Sequence, residues 1–141
     1  NPVFRQISSG LSDLLPRLPS SPASAGQTWS DTVTRSAGDA AISTRLVRQH
    51  RVVGWEDRDG ARALHITTTT AYTVTGTTEA QGQSIELNGN GASTRDAFVS
   101  AAGLFLGSVE TDSALVNANV TSVGLIVPVR QARRTTITRI P

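Results

Sequence analysis

The stretch Ala61-Arg-Ala-Leu64-His-Ile66-Thr-Thr-Thr-Thr70-Ala-Tyr72-Thr-Val74-Thr-Gly-Thr77 decides the fold. Leu64, Ile66, Tyr72 and Val74 stand at even spacings with threonine filling most of the positions between them. A helix would repeat its apolar face every three to four residues, whereas a period of two belongs to an extended strand with one wet face. Threonine, valine and isoleucine are branched at Cβ and sit well on a pleated, half-buried surface. The sequence therefore predicts a strand over about 61–77.

The same period extends in both directions. Trp29, Asp31, Val33 and Arg35 alternate with Thr28, Ser30, Thr32 and Thr34, and a second strand is expected from about Ile42 to Trp55. Asp57-Arg58-Asp59-Gly60 reads as a turn, with Arg58 and Asp59 central and a glycine able to take positive φ. Beyond Thr77, Gln81-Gly82-Gln83 turns the chain into Ser84–Leu87, Asn88-Gly89-Asn90-Gly91 reads as a bend or bulge, and a strand follows over about Ser93–Ser100. Ala101-Ala102-Gly103 turns it again, into about Leu104–Thr111, Leu115–Val123 and Val129–Ile140. Pro128 has no N–H to donate and fits only a strand start or an edge. Short links make neighbouring strands antiparallel. The expected fold is all-β: a strongly curved antiparallel meander of about seven to eight strands, a half-barrel or flattened barrel, with a β-sandwich as the alternative.

Residues 1–25 differ from the rest. Phe4, Ile7, Leu11, Leu14 and Leu15 recur at helical spacing, Pro16 would end the helix, and a proline-rich arm follows. The chain is thus expected to divide into an amphipathic helix and arm, 1–25, and a β domain, 26–141.

Composition narrows the activities. Charged residues make up 17% of the 141 residues and the formal net charge is +2, too little charge for a disordered chain. All 13 basic residues are arginine, a bias that fits a bacterial genome rich in G and C. Arg130, Arg133, Arg134 and Arg139 concentrate near the C-terminus, but no aromatic residue stands among them to stack on bases, so nucleic acid is not an expected partner. There is no cysteine, hence neither a disulfide framework nor a thiolate metal site. No apolar run of about 18 residues is present, so any membrane contact through these residues is expected to be peripheral. The sequence holds no methionine, even at position 1, which leads to the expectation that an N-terminal export signal has been removed and that the chain lies in the periplasm or cell envelope.

Gly26-Gln-Thr-Trp29, Tyr72-Thr-Val-Thr-Gly76 and Phe98-Val-Ser-Ala-Ala-Gly-Leu-Phe-Leu-Gly-Ser108 resemble the strand–glycine turn–strand rhythm of exported bacterial β-rich envelope proteins of the lipoprotein-carrier half-barrel type. The resemblance spans about the last 115 residues. It implies a fold and a compartment and carries over no functional residue.

Catalytic chemistry finds little support. His50 and His65 flank the Asp57–Gly60 turn and are expected as partly exposed residues on the same face of a hairpin, half of a zinc site at most. Counting a calcium loop from Asp57 places Arg62 and Thr68 where glycine and glutamate are required. No Gly-x-Ser-x-Gly elbow or dinucleotide fingerprint occurs, and nothing fixes Glu86 and Glu110 across a cleft. The reading is therefore non-enzymatic, with no catalytic, cofactor-binding or metal residue and no cofactor. Partner contact is assigned to Phe4, Ile7, Leu11, Trp55, Arg130, Arg133, Arg134 and Arg139. The expected role is an extracytoplasmic accessory subunit docked on other protein subunits of a membrane-embedded respiratory or photosynthetic complex. The alternative is a periplasmic carrier holding a lipid or other apolar ligand against Leu64, Ile66, Tyr72, Val74, Leu104 and Leu106.

Overall fold

A computed structural model describes residue 18, residues 22–36 and residues 41–140. The strands are β1 (Thr28–Ser36), β2 (Ala41–Arg58), β3 (Ala61–Ala80), β4 (Gln83–Ser100), β5 (Phe105–Val120) and β6 (Leu125–Thr138). Among the described residues they form one sheet in the order β1-β2-β3-β4-β5-β6, every pair antiparallel, with β1 and β6 as open edges. The meander expected from sequence is present. The sheet is single, so the sandwich alternative does not hold for the described residues, and neither does closure into a barrel. The predicted N-terminal helix falls outside the described residues.

Among the described residues there are six strands rather than seven or eight. Asn88–Gly91 does not bend the chain; it lies inside the continuous β4, and Thr111–Leu115 lies inside β5. The glycine at 91 answers a different need. A Cβ there would fall on the ring of Tyr72, its cross-strand partner, so only hydrogen lets that ring lie flat across the sheet. Pro128 lies within edge strand β6, where a missing donor is tolerated.

Two hairpins turn on two-residue loops with positive φ at both central positions. Asp59 and Gly60 take 51° and 77°, and Gln81 and Gly82 take 53° and 74°. This is the mirror-image turn whose twist matches that of paired strands. The first turn is thus centred on Asp59-Gly60, one residue later than the sequence reading placed it. A β-bulge between Val52 and Gly54 shifts the register of the same hairpin.

Side chains alternate between two faces. Face A carries Trp29, Asp31, Val33, His50, Arg48, Leu46, Ile66, Thr70, Tyr72 and Val74; face B carries the intervening residues, many of them threonine. Along most of β3, β4 and β5 the face A residues are at least half-buried while face B is exposed, as the threonine pattern implied; at the Asp59-Gly60 end face B also buries Ala63 and Phe98. The tightest packing lies on face A at one end, where Val52, Leu64 and Ile66 cluster and Ala23 and Trp29 pack onto them. Val52 and Ile66 are the largest fully buried side chains, each worth roughly 1.5–3 kcal/mol by burial. β3, at 20 residues, would span roughly 65 Å if fully extended. Most of the sheet therefore lies beyond this small cluster.

Candidate functional site

Face A departs from simple alternation at its middle. The registers align Asp31, Arg48, Thr70, Ser93, Asp112 and Arg133 in one row across all six strands. The neighbouring row is Trp29, His50, Thr68, Arg95, Glu110 and Thr135. Apolar residues flank this double row on both sides: Val52, Ile66 and Ala97 on one, Val33, Leu46 and Ala114 on the other, with Val74, Val116 and Val129 one row further out.

The charges within the belt are matched. Arg48 donates through Nε and Nη2 to the two oxygens of Asp31, at 3.0 and 2.7 Å, and keeps only 9% exposure. The Arg48 hydrogen bond holds the Asp31 carboxyl below its ordinary pKa; burial opposes the shift and the His50 contact reinforces it. His50, 3% exposed, lies between Asp31 Oδ1 at 3.2 Å and Thr68 Oγ1 at 2.8 Å, with Trp29 stacked on its ring. Arg95 donates to Glu110 at 2.7 Å.

Tyr72 donates its hydroxyl to Asp112 at 2.7 Å, and Arg133 stands 3.6 Å from the same carboxylate. Burial, then the Asp112 hydrogen bond, push the Tyr72 hydroxyl up to about 12. The neutral phenol therefore adds stability that is complete below pH 10 and lost as pH rises toward 12. Tyr72 is the only tyrosine, so phenolate absorbance reports it alone. We expect a midpoint well above that of free tyrosine, and a downward shift in Asp112→Asn. An ordinary midpoint in the native protein would contradict this geometry.

The histidines do not share a face. The bulge places His50 on face A and His65 on face B, and His50 is buried rather than partly exposed. On face B, His65 Nε2 lies 2.7 Å from Asp96 and Nδ1 3.4 Å from Glu56, while Thr67 donates to Asp96 and Phe98 lies against the imidazole. Burial disfavours the Asp96 charge, yet the His65 and Thr67 hydrogen bonds outweigh it and leave the pKa below its ordinary value. Arg58 covers the Phe98 ring at 3.6 Å. Among the described residues no three histidine or carboxylate groups converge in metal-ligating geometry.

The partner-contact residues read from sequence scatter. Phe4, Ile7 and Leu11 lie outside the described residues. Trp55 is 41% exposed at the end of β2, with the Arg62 guanidinium 5.7 Å from its ring. Arg133 turns to face A and Asp112, whereas Arg130 and Arg134 belong to face B and Arg139 follows β6. The basic cluster is thus divided between two faces. Of the residues expected to line a carrier cavity, Leu64 and Ile66 are closed into the core, Tyr72 and Val74 lie beyond the polar belt, and Leu104 is exposed in a turn.

Sequence reading did not assemble the belt. Its signal was charged residues at even positions on an otherwise apolar face, such as Asp31 between Trp29 and Val33, but only correct registers align them. No protein-family model, curated protein or solved structure matches the chain.

Proposed function

We propose that this is a non-enzymatic accessory subunit of the bacterial cell envelope that docks through its last strand on a larger, membrane-embedded assembly of respiratory or photosynthetic type. The observation that supports docking is β6. Leu125, Ile126, Val127 and Val129 are 51%, 61%, 41% and 51% exposed on a 14-residue strand at an open edge. Long apolar edges invite further strands and are normally short, charged or covered. Successive residues of β6 point to opposite faces, so this run presents aliphatic surface on both sides of the edge, and the adjoining Arg130 and Arg134 suit an acidic neighbour. In this reading the sheet curves as a half-barrel with face A inside, which accounts for the half-buried side chains of face A in a single sheet.

The test is to solubilise the source membranes gently and separate native complexes by size. Co-migration of this chain with one large assembly through a salt wash supports docking, and the Ile126→Glu/Val129→Glu variant is expected to lose it. Migration as a free monomer from unwashed membranes would sink the reading.

A further inference from the structure

The middle of face A holds a cavity of about 360 Å³, inside the roughly 300–1,000 Å³ usual for small-molecule sites. Its polar lining includes Arg48, Thr70, Tyr72, Ser93 and Arg133, and Leu46 and Val74 supply apolar wall. Thr70 stands out. It is 8% exposed and lines the cavity, and among the described residues its hydroxyl has no hydrogen-bonding partner. The hydroxyl opens into the cavity rather than being sealed in the sheet, so it is free to bond a bound molecule.

Its neighbours are suited to the same task. Arg48 is the direct cross-strand partner of Thr70 on one side, and Ser93 on the other. Arg48 spends Nε and Nη2 on Asp31, which leaves the two N–H groups of Nη1. Three donors in a row, a guanidinium nitrogen and two hydroxyls, match the oxygens of an anion. Three donors suffice for one carboxylate group, whose two oxygens carry about four lone-pair sites. Beyond the cavity, from β3 to β6, the rows Val74-Gly89-Val116-Val129 and Gly76-Leu87-Ala118-Val127 hold no charged or polar side chain.

We propose that this cavity binds an organic monocarboxylate, its oxygens against Arg48, Thr70 and Ser93 and its apolar body against Leu46, Val74 and the rows beyond. The polar end of the site lies on β2, β3 and β4, while its apolar wall reaches Val127 and Val129 of β6, the strand assigned to docking; binding to the isolated chain is measured separately from docking, so either proposal can fail alone.

The test is calorimetric titration of the full chain with octanoate, octyl glucoside, acetate and inorganic phosphate. We expect saturable one-to-one binding of octanoate, with acetate, phosphate and the neutral glucoside each at least tenfold weaker. The informative variants are Thr70→Val and Ser93→Ala. Among the described residues neither hydroxyl has a bonding partner, so melting temperature should hold or rise slightly while octanoate binding weakens about tenfold. Absence of saturable octanoate binding would overturn the proposal. So would equal binding of the glucoside, which would indicate an apolar site only, or of phosphate, which would indicate an adventitious anion site. Unchanged affinity in both folded variants would overturn it as well.

Discussion

Asp31→Ala is expected to destabilise the fold by about 3 kcal/mol, because it leaves the almost buried Arg48 guanidinium without its carboxylate. The loss comes from stranding a charge that the protein has taken out of water, and the pair itself adds little net stability. The double variant Asp31→Ala/Arg48→Met separates the two. With both charges gone and an unbranched apolar chain in the guanidinium's place, most of the lost stability should return. Urea denaturation of the four species closes the cycle; additive losses in the double variant would rule out the pairing argument.

The same pair sets an acid limit. The Asp31 pKa is below its ordinary 3.8 in the folded protein, so its ionised form stabilises the fold above that value and the contribution disappears as pH falls through the lowered native value. Asp96 on face B acts in the same direction. Stability should therefore fall steeply below about pH 4, and Asp31→Ala should flatten that slope without abolishing it. An identical slope in the variant would exclude Asp31 as a source.

Two isoleucines are expected to behave in opposite ways. Ile66→Ala, at 0% exposure among Val52 and Leu64, should cost about 3 kcal/mol, since the cluster is small and has little else to close the gap. Ile126→Ala, at 61% exposure on the open edge, should change stability by no more than about 0.5 kcal/mol. In the co-migration assay the order should reverse, with Ile126 and Val129 substitutions releasing the subunit and a folded Ile66→Val variant remaining bound. Equal stability losses at both positions would mean that β6 belongs to a core and would remove the argument for docking.

Much of the fold was legible because period-two patterning is local. Leu64, Ile66, Tyr72 and Val74 share a face in the sheet as they do in the sequence, and Gln81-Gly82 turns where its composition says it must. The misplaced breaks share one cause: glycine and asparagine serve turns and close packing alike, and only the Tyr72 ring across from Gly91 shows which is in force. The belt was harder still. Asp31, Arg48, Asp112 and Arg133 are scattered along the chain, and their alignment depends on the register of each intervening hairpin. The Arg48–Asp31 pair and the Tyr72–Asp112 bond are consequences of pairing, with no signature of their own in the sequence.

The bulge at Val52–Gly54 decides which side of β2 meets the belt. Val53 is the odd residue that brings Arg48 and His50 to the same side as Thr70. Deleting it would keep every cross-strand pair, because Gly54↔His65 and Val52↔Ile66 would then follow one another in a regular ladder. Flattening the bulge with Val53 retained would instead exchange inside for outside along the rest of β2, with Val47, Gln49, Arg51 and Val53 replacing Leu46, Arg48, His50 and Val52 opposite β3. At this position a residue fewer is tolerated, and a residue drawn into the ladder is not.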